Sequence, residues 1–457
     1  MSLAFKIVQK IVGIGFQPVA VQSQTGLLCH MHRILFFCLI AVSIICSSIN
    51  GLLAEDAVGQ WNQWRGPNRD GISTEKGLLE SWPEEGPSVD YRVKGLGKGM
   101  ASVAIVNSKI ITMGNKDGST RVVCLDQRNG EIEWNTPFTP AKSDPNCSPT
   151  VDVASGLVYA LSNDGVLVCC KLDGGQVVWQ TSFTKDFGGK IESGWGYSES
   201  PLVDGDYLIC TPGAPDAMVV ALNKKTGEAV WKGKAPQGKL KGNDGAGYSS
   251  AIISNAAGVK QYVQLIGHGI VSYDATTGSL LWNYDRIANG TANIPTPIAK
   301  DNFIFCSTGY GDGGTALLEI TKKLNQLEAK EVYHKTSNEL QNHHGGMIMI
   351  GDFVYMGHGH DNGFPACVEW KTGKNIWDKT RGAGTGSAAI VVADDKLYFR
   401  YQDSTMALIS AKKDKYELIS KFKLPTHNGE SWPHPVIAGG RLYIRDQDEL
   451  VCFKISK

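Results

Sequence analysis

The 457-residue sequence lacks any excess of charge, with 45 Lys and Arg against 45 Asp and Glu. No basic stripe or nucleic-acid-binding module breaks that balance. Nucleic acid is therefore excluded as a partner, as is a general attraction to anionic membranes. Catalytic signatures are missing as well. There is no C-x-x-C-H haem attachment, no G-x-S-x-G nucleophile turn, no phosphate-cradling loop and no recognisable metal-ligand spacing. Long apolar runs are scarce. The strongest, Ile34 to Cys46 behind Arg33, is too short to span a bilayer comfortably and suits a signal-peptide core. Residues 1–54 are expected to be a leader cut after Ala54, with an uncleaved anchor as the alternative. Export to the periplasm, cell surface or medium follows, leaving no stable transmembrane span after cleavage.

An exported chain with 11 cysteines would suit a disulfide framework. Three of them, Cys29, Cys38 and Cys46, lie in the leader. Cys124, Cys169, Cys367 and Cys452 instead recur at one position of a repeated strand, and Cys210 and Cys306 end second strands. Cysteine here is read as a small buried apolar residue. The neighbours Cys169 and Cys170 point to opposite faces of a strand, with a strained vicinal disulfide as the alternative.

What the chain has in abundance is a repeat. Val219 to Trp231 reads VVALNKKTGEAVW, and the phrase recurs at Val122–Trp134, Leu167–Trp179, Ile270–Trp282 and Cys367–Trp377. Four residues before each tryptophan stands Gly130, Gly175, Gly227, Gly278 or Gly373; ten before stands Cys124, Cys169, Ala221, Ser272 or Cys367. Each phrase reads as a hairpin whose glycine takes positive φ in the turn. A second hairpin precedes each phrase, as at Ser200–Cys210 and His434–Ile444. Two hairpins make a four-stranded module, A to D in chain order, and a spacing of roughly 45–50 residues fits propeller blades. Eight modules are present, two of them degenerate. Leu317–Tyr333 carries an insertion and puts Tyr333 at the tryptophan position, and Ala407–Ile419 lacks the glycine. The predicted fold is all-β, an eight-bladed propeller over residues 89–457. Trp134, Trp179, Trp231, Trp282 and Trp377 are expected to dock blade on blade.

Residues 55–88 form an arm rich in Trp, Gly and Pro that is expected to pack on the propeller, because Trp61, Trp64 and Trp82 are costly to leave in water. The last module has three strands, so Val89–Val93 is expected to supply the fourth and close the ring, with Tyr91 at the tryptophan position.

The phrase resembles the tryptophan-docking repeat of the pyrroloquinoline quinone (PQQ)-like propellers. The arm, with Gln63-Trp64-Arg65-Gly66-Pro67 and Asp70-Gly71, is similar to that of exported bacterial members, most without assigned activity. The resemblance implies one of two branches. Quinoprotein dehydrogenases hold PQQ and calcium at the ring centre; non-catalytic members include a scaffold lipoprotein of outer-membrane β-barrel assembly. Glu199, Asn293 and Asp361 offer oxygen ligands for calcium, yet no family motif maps onto them residue by residue.

In a propeller, D–A and B–C loops share one face. All eight histidines beyond the leader (His268, His334, His343, His344, His358, His360, His427 and His434) fall in or beside such loops. His343, His344, His358, His360 and Asp361 group in one module and suit zinc, iron or copper; loop histidines bonding backbone are the alternative. Segments leading into the modules carry Trp195, Tyr197, Glu199, Tyr248, Asn293, Trp432 and His434, a small-molecule set at a concave centre. Polar and aromatic plugging of the ring mouth is the competing reading. The expected activity is a monomeric binding or scaffold module working through this face on a small molecule, a glycan (through Trp195 and Trp432) or a protein. The alternative is a PQQ- or metal-dependent oxidoreductase using the same face.

Overall fold

The computed structural model describes residues 59–457 except 325 and 378–379; the expected leader with its cleavage site lies outside the described residues. Eight sheets of four antiparallel strands are present. Each but the last follows the chain. They are β1 (Val89–Val93); β2–β5 (Ala104–Val106, Lys109–Lys116, Ser119–Asp126, Ile132–Pro140); and β6–β9 (Thr150–Asp152, Leu157–Leu161, Val166–Lys171, Val177–Ser182). The third and fourth blades are β10–β13 (Leu202–Asp204, Tyr207–Cys210, Val219–Asn223, Ala229–Gly233) and β14–β17 (Ile252–Ser254, Gln261–Ile266, Gly269–Asp274, Leu280–Tyr284). The fifth and sixth are β18–β21 (Ile298–Lys300, Phe303–Thr308, Gly314–Lys323, Gln326–Thr336) and β22–β25 (Asn342–Ile350, Phe353–His358, Phe364–Glu369, Lys374–Asn375). The ring ends with β26–β29 (Ala388–Ala393, Lys396–Tyr401, Thr405–Ser410, Leu418–Lys423) and β30–β32 (Val436–Ala438, Arg441–Asp446, Glu449–Lys454). The protein is an eight-bladed β-propeller. Among the described residues one short α-helix, α1 (Phe183–Phe187), interrupts the strands. Among the described residues no helix is long and apolar enough to cross a membrane.

The ring closes as the strand count requires. β1 pairs with β32, setting Tyr91 opposite Cys452 and Val93 opposite Leu450. Ion pairs Arg92–Glu449 and Arg441–Asp90, both at 2.6 Å, flank the join. The edge of β32 is thereby covered at this seam.

The repeat has a physical explanation in how each blade meets the next. The Trp134 indole donates to the Leu172 carbonyl at 3.1 Å, Trp179 to Lys224 at 3.1 Å, Trp231 to Ala275 at 3.3 Å and Trp377 to Lys413 at 3.0 Å. Every acceptor sits in the C–D turn of the following blade, and the rings of Trp134, Trp179 and Trp231 lie against that turn's glycine. A Cβ on Gly227 would stand 2.7 Å from the Trp179 ring, while its φ of +78° already disfavours any side chain. One residue type thus meets two demands. Tyr333 and Tyr91 repeat the contact with a phenol, bonding the Trp370 and Gln127 carbonyls and facing Gly373 and Gly130. Trp282 faces the fifth blade, whose lengthened C–D hairpin also has no glycine in its turn, and it bonds Gln261 Oε1 of its own blade instead. Burying an indole removes about 150–250 Å² from water, roughly 4–6 kcal/mol per blade as an upper bound.

The seventh blade corrects the expected register. Its turn is longer, the bulge falls between Leu408 and Ile409, and Ser420 rather than Ile419 occupies the tryptophan position. The arm repairs this: Trp82 donates its backbone N–H to Ser420 Oγ at 3.0 Å and buries its ring between Tyr398 and Phe422. All eight cysteines of the described residues are free and buried, Cys169 and Cys170 included. Burial holds every one of these thiols above its usual range.

The arm does more than cover the ring. Trp61 exchanges backbone bonds with Ile105 of β2, Val151 of β6 donates to Asn62, and Gly71 and Ser73 bond Val392 of β26. Arg69 donates to Ser200 and Pro201 just before β10, Arg65 to Met347 of β22, and Trp64 to Thr296 just before β18. Glu75 accepts from Gly439 and Gly440 between β30 and β31. Seven of the eight blades are bonded through their first strands or the residues beside them. Since first strands of successive blades neighbour one another, this places residues 61–73 along the centre of the ring.

Trp231→Ala should lower unfolding free energy by roughly 3–5 kcal/mol, as for other buried large-to-small changes. Gly278→Ala should also destabilise, because its Cβ meets the Trp231 indole at a φ of +71°. In the Trp231→Ala background the glycine change should cost less, only the backbone strain remaining. Denaturant melts of the four proteins measure that coupling; strictly additive losses would refute the docking contact.

Candidate functional site

On the face formed by D–A and B–C loops, a cavity of about 530 Å³ opens over the arm. Trp64 and Arg65 contribute to its floor, and Trp195, Tyr248, Tyr310 and Trp432 give it aromatic walls. Trp64 stacks tilted on His434 with ring centres 4.5 Å apart. Trp195 and Tyr248 meet edge to face at 6.1 Å, and the Tyr248 hydroxyl is held by Ser193 Oγ at 2.7 Å.

Among the buried polar atoms of the lining that lack a partner, donors outnumber acceptors, the one acceptor being Asn146 Oδ1. Arg65 bonds the carbonyls of Asp70 and Met347, while its Nε and Nη1 find no partner in the protein. Burial lowers its pKa to about 10, still far above neutrality, so it stays a cation. Trp432 Nε1 is buried without a partner too. Gln402 donates its amide to His344 Nε2 at 3.1 Å, which puts the imidazole proton on Nδ1, and that atom also lacks an acceptor. An unmet buried donor costs about 1–3 kcal/mol. Acidic groups on the lining are Asp361 and Glu430.

The histidines converge in part. His343, His360 and Asp361 offer ligand atoms that all lie within 4.8 Å of one another. His344 packs beside them, its ring 4.4 Å from that of His343. His358 is turned away: its Nδ1 takes the Gln341 backbone N–H at 3.2 Å. Burial is the main cause that lowers the His343 pKa to about 4, and it carries His344 well below the usual range. Both imidazoles are neutral at pH 7. His268 bonds Lys241 and Asp244, and His427 bonds Ser404, outside the cavity lining.

Of the small-molecule set, Trp195, Tyr248, Trp432 and His434 line the cavity. Tyr197, Glu199 and Asn293 do not. Tyr197 donates to the Pro212 carbonyl, Glu199 accepts from Thr211 and Gln264, and Asn293 pairs with Glu192. All three are buried in the wall. Sequence reasoning missed Trp64, Arg65 and Tyr310. The first two belong to the arm, and Tyr310 lies in a B–C loop outside the repeat.

These positions bear on a quinone–calcium centre. Glu199 and Asn293 are spent on main-chain and wall contacts, leaving Asp361 alone of the three proposed oxygen ligands on the cavity. The vicinal Cys169–Cys170 pair is buried within β8, away from the lining. Calcium takes six to eight oxygens, so the residues present do not fit that group.

The sequence matches, over residues 88–180 and 118–379, the family described as outer membrane protein assembly factor BamB. No curated protein sequence matches the chain. Among solved structures, BamB from Moraxella catarrhalis is similar at 14% identity and TM-score 0.55, covering 80% of this chain and 97% of its own. Quinohemoprotein alcohol dehydrogenase from Comamonas testosteroni aligns at 12% identity and TM-score 0.63, covering 88% of this chain and 82% of its own. The corresponding enzyme ADHIIG from Pseudomonas putida HK5 gives 14% identity, TM-score 0.56 and coverages of 87% and 80%. At these identities the likeness carries the fold alone.

Burial lowers the His434 pKa to about 3, with Arg65 and Arg400 adding to the shift. Unfolded, the same imidazole takes its proton near 6.5. Between those values the unfolded chain binds one more proton, so stability from this residue is full above about pH 6.5 and falls as the pH drops. Glu192 and Glu199, raised to about 7 by burial, act with opposite sign, their contribution being present below about pH 4.5 and lost toward pH 7. Comparing His434→Gln with the parent cancels them. As the pH falls from 6 to 4, the parent should lose about 1.4 kcal/mol per pH unit relative to the variant. Denaturant melts at several pH values check this, and parallel slopes would show that His434 is not buried neutral.

Proposed function

Because the chain belongs to the BamB family of PQQ-like propellers, we propose that it is a binding module whose ligand is a small, planar, acceptor-rich molecule held in the axial cavity. One observation carries this reading: aromatic walls enclose about 530 Å³ lined by side chains whose Arg65, His344 and Trp432 donors have no acceptor in the protein. Aromatic faces hold a flat molecule, and carboxylate or carbonyl oxygens relieve the unmet donors, with Arg65 favouring negative charge. The proposal places the chain outside the cytoplasm, supported by the family and by the signal-like pattern ahead of residue 55. Work as a scaffold for a partner protein through the same face is compatible with the fold of BamB.

The test is calorimetric titration of the purified chain with PQQ, a planar tricarboxylate, with and without calcium. Saturable binding that needs no calcium, weakened at least about tenfold by Trp432→Ala, is the expected result. Binding only with calcium would move the assignment to a quinone-dependent oxidoreductase. Absence of heat with PQQ and with smaller aromatic carboxylates would leave protein scaffolding as the function.

A further inference from the structure

We propose that His343, His360 and Asp361 form a three-ligand site for a divalent transition metal of the zinc class on one wall of this cavity. The site deepens the binding reading above, yet it stands on its own geometry. His343 Nδ1 lies 3.5 Å from Asp361 Oδ1, and His360 Nδ1 lies 3.5 Å from Asp361 Oδ2. A charge-assisted N–H···O bond would draw these pairs to about 2.7–2.9 Å. Ligand atoms about 2.0–2.1 Å from a tetrahedral zinc stand about 3.3–3.4 Å apart. The two histidine–carboxylate pairs stand at nearly that spacing, and all three ligand atoms lie within 4.8 Å of one another, so a small inward movement would close them on one ion.

The surroundings fit the same use. His343 Nε2 lies 2.9 Å from the Tyr310 hydroxyl. With Nδ1 on a metal, Nε2 carries the proton and donates to that hydroxyl, the supporting bond that orients a ligating histidine. The Ser387 hydroxyl, now 2.7 Å from Nδ1, would yield that lone pair. Tyr310 also packs on both imidazoles, with ring centres 4.9 and 4.7 Å away. Asp361 and Tyr310 hold left-handed backbone, at φ +54° and +63°. Strain of this kind in side-chain-bearing residues persists where structure over-determines it, often at binding sites. Two imidazoles and one carboxylate select zinc, iron, nickel or copper over calcium and magnesium. Three protein ligands leave a position open to the cavity, where water or an oxygen of the bound molecule completes the shell.

The experiment is titration of the chelator-treated full chain with cobalt(II), read by its visible absorption, and with zinc, read by calorimetry. One equivalent of each should bind, with the strong visible bands of tetrahedral cobalt. His360→Ala and Asp361→Asn, both changes at exposed side chains, should weaken binding more than tenfold, and Tyr310→Phe by about tenfold. His427→Ala, which removes an imidazole bonded to Ser404, should bind as the parent does. Trp432→Ala should keep the metal while losing PQQ, so the metal site and the small-molecule reading fail separately. No saturable binding, or binding unchanged in His360→Ala, would overturn the proposal.

Discussion

Everything in this molecule depends on an aromatic ring from one blade finding a side-chain-free turn on the next. A four-stranded sheet cannot bury both faces alone, so each blade is stable only as a neighbour. The indole supplies the area, and its N–H satisfies a carbonyl that the turn would otherwise leave to water. Glycine is required twice over, for its backbone angle and for the room it leaves. Where the pattern is broken, the contact is rerouted rather than abandoned: Trp282, facing a turn without glycine, bonds within its own blade, and Trp82 arrives from the arm where the seventh blade has Ser420 in place of tryptophan. The ring tolerates irregular members because its closure by β1 holds every interface at once.

The centre of the ring is governed by a different requirement. First strands crowd the axis and direct carbonyls toward it, and these must be met. The arm meets them with its backbone and with two buried arginines. Arg69 bonds Gln63, Ser200 and Pro201 through both terminal nitrogens and leaves only Nε unmet. Arg65 bonds Asp70 and Met347 through one nitrogen and leaves both Nε and Nη1 unmet. A cation that plugs the ring therefore also helps to floor the cavity. Structural and binding roles meet in one side chain.

The fold was legible because the docking constraint recurs with a fixed period. Trp231 and its equivalents marked the docking of blade on blade and Gly227 and its equivalents the turns, and Tyr91 and Tyr333 were recognisable as substitutes by position alone. Ser420 was not, since a longer turn moved the bulge and the count from the repeat slipped by one. The site was legible only in outline. Histidines could be assigned to a face because topology assigns loops to faces, but inward or outward direction is set loop by loop. In the segment Trp195-Gly196-Tyr197-Ser198-Glu199, Trp195 and Ser198 reach the cavity, whereas Tyr197 and Glu199 turn into the wall. No periodicity encodes that choice. Arg65 and Tyr310 escaped for a related reason, each lying outside the repeated phrase.

The contrast between these two regions is itself informative. Along the blade interfaces the indole N–H groups of the five repeat tryptophans are all answered. Around the cavity, neutral buried imidazoles, the unmet donors of Arg65, His344 and Trp432, and the left-handed Tyr310 and Asp361 face one enclosed space. Such conflicts lower stability, and they persist where something other than folding retains them. The rigid ring makes them affordable, because loops held on eight docked sheets cannot relax individually to satisfy their own polar groups. A ligand offering oxygen atoms and a metal shared by two imidazoles and a carboxylate would each resolve a different part of that frustration. The propeller's stiffness is thus the condition for a binding site whose residues are prepared for partners that the chain itself does not supply.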